Sequence, residues 1–227
     1  MNMQDVITID GPAGSGKSTV SRLVAKMTGR IYLDTGAMYR AVALAAKRGG
    51  VNPSDGKSLK YLCESLNLHF NMQENNVRLF LDSEDISLAI RSPEIDMLSS
   101  NISAVGEVRK AMSHLQRKIA EDHSLVAEGR DMGTVVFPEA KHKFFLTASP
   151  EVRAERRYRE RVDRGEAVSR KVVEAEVRKR DHQDQTRHLS PLRPAVDARV
   201  IDSTQLEVEK VVSQILYYLK KQREPEN

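Results

Sequence analysis

The sequence contains one cysteine, Cys63. A single thiol excludes an internal disulfide and any metal site built on clustered cysteines. The six histidines show no ligand spacing. No run reaches about 18 apolar residues, so no segment is expected to span a membrane. The opening Met1-Asn2-Met3-Gln4-Asp5 passes straight into Val6-Ile7-Thr8-Ile9. It lacks the basic start and longer apolar core of a secretory signal, so a cytoplasmic protein is expected. Internal repeats and low-complexity stretches are also missing. What is present is an ordinary globular composition: 227 residues, 40% hydrophobic and 30% charged. That length suits one domain with insertions or two small ones. The 36 basic against 32 acidic residues leave a net charge of +4, a mild lean towards anionic partners, nucleotides or nucleic acid.

The order of elements points to an α/β fold. Val6-Ile7-Thr8-Ile9 reads as a buried strand. A Gly-rich turn follows, then a helix over 19–27. Ile31-Tyr32-Leu33 is a second strand, and 36–47 a second helix stopped by Gly49-Gly50. This βαβα order predicts a parallel sheet. Leu125-Val126-Ala127, Lys143-Phe144-Phe145-Leu146 and Arg199-Val200-Ile201 complete five strands. Residues 206–219 carry apolar positions at helical spacing, predicting a helix packed on the sheet. Two segments depart from the plan. Leu68-His69-Phe70-Asn71-Met72, the turn Asn75-Asn76 and Val77-Arg78-Leu79-Phe80-Leu81 give a hairpin signal, with Cys63 in the core of the helix before it. Residues 151–190 hold 12 basic and 9 acidic residues, ten of them Arg. Their spacing is helical with a break at Gly165. The segment reads either as a solvated pair of helices laced with i,i+4 ion pairs or as an arginine-rich lid over phosphates. The tail 220–227 is expected to fray.

Gly11-Pro12-Ala13-Gly14-Ser15-Gly16-Lys17-Ser18 matches the phosphate-binding pattern G-x-x-x-x-G-K-[ST], with a strand before it and a helix after it. Small glycines let backbone N–H groups curl around a polyphosphate, and the helix N-terminus adds its positive end. Lys17 would reach the β/γ-phosphates and the Ser18 hydroxyl would ligate Mg²⁺. Thr19 follows directly. Asp10, just before the loop, is read either as capping it or as approaching Mg²⁺ through water. The GTPase signatures N-K-x-D and D-x-x-G are absent. A small phosphotransferase remains, and it needs a second site for an acceptor. A nucleic-acid module would want a basic stripe with interleaved aromatics. Residues 151–190 contain a single aromatic, Tyr158, and nine compensating acids, which counts against that reading.

Four further clusters stand out: Asp34-Thr35-Gly36-Ala37-Met38-Tyr39-Arg40; Ser99-Ser100 with Arg109; Glu128-Gly129-Arg130-Asp131-Met132-Gly133-Thr134; and Arg180-Asp181-His182-Gln183-Asp184-Gln185-Thr186-Arg187. Ligands of an open α/β sheet bind outside the carboxyl ends of its strands, where the first and third clusters lie. Together with the phosphate loop and the hairpin, the clusters closely resemble bacterial cytidylate kinases, a family of P-loop nucleoside monophosphate kinases. The likeness runs through nearly the whole chain.

The resemblance implies transfer of the ATP γ-phosphoryl group to CMP or dCMP in pyrimidine nucleotide metabolism, with Mg²⁺. It implies a P-loop kinase core over 1–60 and 96–227, a lid over about 151–175 within it, and a monophosphate-binding insert over 61–95. ATP would lie on Gly11, Pro12, Ala13, Gly14, Ser15, Gly16, Lys17, Ser18 and Thr19. Arg40, Arg130 and Arg187 would hold the acceptor phosphate. Ser100, Arg109 and Asp131 would read the cytosine, and Arg180 and Asp184 the sugar. Asp34, Thr35 and Tyr39 belong to the same acceptor motif, Tyr39 either packing or stacking. Arg153 and Arg157 would act from the lid near the transferring phosphoryl group, as catalytic partners of Lys17 and Arg130. Either could instead pair with neighbouring glutamates. Glu128 stands where some relatives carry Asp. The expected partners are ATP and CMP or dCMP, with no nucleic acid, no membrane and a monomeric state.

Overall fold

The structure is a computed structural model and describes residues 5–73 and 76–221. Asn75 of the expected hairpin turn and residues 222–227 of the expected frayed tail lie outside the described residues. By internal contacts the chain divides into two compact units. One is formed by Met1–Leu33 and His123–Asn227, the other by Asp34–Asp122.

The first unit carries the parallel sheet. β1 (Val6–Asp10) is flanked by β6 (Leu125–Gly129) on one side and β7 (His142–Thr147) on the other. The outer strands are β2 (Ile31–Asp34), beside β6, and β8 (Arg199–Asp202), beside β7. All five expected strands are present, in the order β2-β6-β1-β7-β8. β1 and β6 are buried along their whole length, as befits central strands of a sheet covered on both faces. Register places Val6 opposite Leu125 and Asp10 opposite Gly129. The strand that feeds the phosphate loop therefore ends level with the Glu128–Thr134 cluster. α1 (Lys17–Thr28) leaves the loop, and the apolar stripe Val211, Val212, Ile215 and Leu219 of α8 (Val208–Lys221) is buried.

The arginine-rich segment folds as two helices, α6 (Pro150–Asp163) and α7 (Arg170–Thr186). Each starts on a serine: Ser149 accepts from Val152 N–H and Ser169 from Val172 N–H, the cap that orphan N-terminal amides require. Gly165 breaks the pair at φ 80°, a left-handed turn that a side chain would resist. Ala154, Val173 and Val177 pack between the helices, with Tyr158 and Val168 against them. Ion pairs lace the outside, including Arg159 with Glu155 and Arg164 with Glu160, while the buried Arg161 pairs with Glu166 and Glu176. The apolar seam shows that the pair has its own small core beneath its charged surface.

The second unit holds α2 (Thr35–Arg48), α3 (Gly56–Ser65), β3 (Leu68–Gln73), β4 (Asn76–Leu81), β5 (Glu84–Asp85), α4 (Pro93–Ile102) and α5 (Gly106–Asp122). The hairpin of β3 and β4 is antiparallel, with Leu68 opposite Leu81. The two-residue β5 extends it to three strands; a strand so short leaves no alternation to read in the sequence. Cys63 is buried on α3, and burial pushes its thiol up to about 11.

Candidate active site

The phosphate loop leaves β1 at its carboxyl end and delivers Lys17 and Ser18 to the first turn of α1. Three of its carbonyls are engaged by protein donors. Lys17 Nζ donates to Pro12 O at 3.0 Å and Arg153 Nη1 to Ala13 O at 3.1 Å. Ser15 O accepts from Ser203 Oγ at 3.1 Å and from Arg156 Nη1 at 3.4 Å. Turning these lone pairs onto donors removes partial negative charge from a loop suited to anions. Gly14 sits at φ 75°, and a Cβ there would lie 2.6 Å from the carbonyl oxygen of Arg153. Only glycine allows the loop to lie this close to α6.

Ser18 Oγ donates to Glu128 Oε1 at 2.8 Å, across from β6. A hydroxyl beside a buried carboxylate is a hard-oxygen donor set, the kind Mg²⁺ takes alongside phosphate and water. Asp10 is buried. Its Oδ1 accepts from Met132 N–H at 2.9 Å and its Oδ2 from Gly133 N–H at 2.8 Å. Burial raises Asp10 to about 7 against the lowering pull of those two bonds. Burial, joined by the nearby Arg130 charge, lowers Lys17 to about 7 in spite of Glu128.

Beyond β6, Arg130 Nε lies 2.8 Å from Asp184 Oδ2 on α7. Arg187 places its guanidinium nitrogens 4.0 Å from Asp184 and 3.9 Å from Asp131. Burial works against the Asp184 carboxylate, yet Arg130, Arg180 and Arg187 outweigh it and hold its pKa below the usual range. Guanidiniums thus converge on the Asp184 and Asp131 carboxylates, the planar donors suited to binding phosphate oxygens. Arg153 is 4% exposed. Besides Ala13 O, it donates to Ala148 O at 2.9 Å and grips Asp181 with two bonds of 2.9 and 2.6 Å. Arg157 pairs with Glu160 at 3.0 Å.

In the second unit, Asp34 caps α2 by accepting from Ala37 N–H at 2.9 Å, and Thr35 is buried behind it. Arg40 Nε meets Asp96 at 2.7 Å. Tyr39 is buried, with the Arg109 guanidinium carbon 5.7 Å from its ring centroid. Arg109 Nη1 donates to Ser103 O at 3.0 Å. The carbonyl of Ser100 accepts from Ser103 Oγ at 2.8 Å.

The family model described as cytidylate kinase matches residues 7–221. The chain belongs to the cytidylate kinase family. It is an enzyme of the nucleoside monophosphate kinase class. The cytidylate kinase of Citrifermentans bemidjiense is 46% identical over 207 residues, which span 91% of this chain and 89% of the relative. That of Pelotomaculum thermopropionicum is 49% identical over 218 residues, 95% of this chain and 96% of the relative. Among solved structures, an uncharacterized protein from Eubacterium ventriosum aligns with a TM-score of 0.50 at 15% identity, covering 96% of this chain and 99% of that one. That likeness concerns the fold alone.

Within this cytidylate kinase family member, the structure brings Lys17, Ser18, Arg130, Asp131, Arg153, Arg180, Asp184 and Arg187 into the first unit. Asp34, Thr35, Tyr39, Arg40, Ser100 and Arg109 lie in the second. Five partners carried no assigned role in the sequence reading: Asp96, Arg156, Asp181, Ser203 and, as the partner of Ser18, Glu128. Asp181 was the most accessible of them. It stands three residues before Asp184 on one helix, so both carboxylates look towards neighbouring elements. Both oxygens of Asp10 hold the turn at Met132 and Gly133.

Proposed function

We propose that the chain transfers the γ-phosphoryl group of ATP to CMP or dCMP, giving ADP and CDP or dCDP, as a cytoplasmic monomer without nucleic-acid or membrane partners. An oxygen of the monophosphate forms the new bond to the γ-phosphorus while the bond to the β-phosphate bridging oxygen breaks. No general base is required, because the attacking oxygen is already anionic. The protein's work is positioning and charge stabilisation. Gly11 to Thr19 bind ATP, and Lys17 follows the transferring group. Ser18 would hold Mg²⁺, which when bound neutralises charge on the phosphates.

Arg40, Arg130 and Arg187 bind the acceptor phosphate, their planar forks each donating two hydrogen bonds. Arg180 and Asp184 bind the sugar. Ser100, Arg109 and Asp131 read the base, with Asp34, Thr35 and Tyr39 in the same acceptor role. Residues 61–95 serve the monophosphate and about 151–175 the lid, from which Arg153 and Arg157 act on the transferring group. The convergence of Arg130, Arg180 and Arg187 on the buried Asp184 carboxylate is the observation that supports these assignments.

The experiment is coupled ADP release over a panel of eight nucleoside monophosphates. A carboxylate only accepts, so Asp131 suits the N4 amino group of cytosine and opposes O4 of uracil. CMP and dCMP are expected to turn over, with kcat/KM for UMP lower than for CMP by at least ~10²-fold. Equal use of CMP and UMP would overturn the base assignment. Turnover confined to another acceptor would overturn the reaction.

A further inference from the structure

Asp10 ends β1 one residue before the phosphate loop. Its carboxylate spans two successive amides, Met132 and Gly133, at 2.9 and 2.8 Å. Consecutive amides presented in this way form a concavity that attracts negative charge, and here the chain fills it with its own carboxylate. Further along the same turn, the amides of Val135 and Val136 return to Asp131 O, and that of Phe137 to Met132 O. The first two amides are thus held by a side chain, and the later ones by the turn itself. The turn also lies close on the sheet: a Cβ on Gly133 would come within 3.0 Å of Thr8 Oγ1 and 3.3 Å of the Lys143 side chain.

We propose that Asp10 is a positioning residue for acceptor recognition. By gripping the amides of Met132 and Gly133, it sets the direction in which Arg130 and Asp131 leave the main chain, and it ties that direction to the strand bearing the phosphate loop. The inference rests on the reading above that Arg130 and Asp131 bind the monophosphate. Only a carboxylate accepts from both amides at once. An asparagine keeps the volume but turns an NH₂ donor onto one of the two N–H groups. Displacing a binding group by a fraction of an ångström is enough to damage positioning.

The test compares Asp10→Asn with Asp131→Ala, measuring kcat and KM for CMP and UMP, the Kd of ATP alone and the melting temperature. Asp10→Asn is expected to raise KM for CMP at least ~10-fold and to narrow the CMP/UMP preference, while the Kd of ATP stays within about threefold of the parent. A merely structural role would lower CMP and UMP use in equal proportion, or weaken ATP as much as CMP, and either result overturns the proposal. If Asp131→Ala retains full discrimination, the underlying reading fails. If Asp131→Ala loses it and Asp10→Asn keeps it, the inference fails alone. Should Asp10→Asn not fold, Gly133→Ala crowds the same turn against Thr8 and Lys143 with Asp10 intact. A narrowed CMP/UMP preference then supports the proposal, and an unchanged one overturns it.

Discussion

Lys17 is a buried cation whose charge, with no phosphate bound, is served by the Pro12 carbonyl and by Glu128 while it is opposed by burial and Arg130. Its pKa of about 7 lies below the ordinary 10.5, so near pH 8 the ammonium is largely deprotonated. A polyphosphate favours the charged form and pulls the pKa back up. ATP binding should therefore take up most of a proton at pH 8 and far less through this group at pH 6, where Lys17 is mostly protonated with or without ATP. Calorimetry in two buffers of different ionisation enthalpy measures that uptake, and Lys17→Met should abolish it. Lys17→Ala should lower turnover at least ~10²-fold, the scale of a lost electrostatic stabiliser, with the melting transition retained. Near-normal turnover in the purified variant would remove Lys17 from the chemistry. None of this electrostatic detail was legible in the motif. G-x-x-x-x-G-K-S names the lysine, but the shift of its pKa depends on burial and on the charges of Glu128 and Arg130, more than a hundred residues away in the chain.

At the scale of elements, the α6–α7 pair and the phosphate loop are joined. Arg153 donates to Ala13 O and to Asp181, and Gly14 lies against the backbone of Arg153. Gly14→Ala would force a Cβ to 2.6 Å from a backbone oxygen at positive φ. ATP affinity should fall by ~10-fold or more, since overpacking at such a contact costs about 1–3 kcal/mol. Titration of ATP against the variant checks this, and unchanged affinity would show that the loop and α6 can part freely. An enzyme passing phosphoryl between two nucleotides must exclude water, and the helical pair is the segment suited to closing over them. Protease nicking between Glu151 and Arg170 should slow when ATP and CMP are both bound; equal cleavage with and without saturating ligands would count against closure. The pair itself was readable from helical spacing and the break at Gly165. Its seam of Ala154, Val173 and Val177 was hidden among charges, because three small apolar residues barely register against 21 ionisable ones.

Across the whole molecule, the features legible in the sequence were the ones encoded locally. Five strands, the Gly-rich turn and the β3–β4 hairpin each announce themselves within about ten residues, through alternation or turn chemistry. Partnerships that cross the chain left no such trace. Asp10 finds Met132 and Gly133, Ser18 finds Glu128, and Arg40 finds Asp96. Each depends on the fold being complete, and neither member of a pair constrains its own neighbours in sequence. The same separation bears on how the chain is made. β1 is synthesised before the other described strands, yet both its neighbours, β6 and β7, come from residues 125–147. The stretch Asp34–Asp122 has contacts enough to form a unit of its own while β1 still waits. Closing so long a loop is slow compared with local pairing. On the ribosome, then, the nucleotide loop sits at the end of an apolar strand that lacks its first sheet partner until β6, ending at Gly129, has emerged from the exit tunnel.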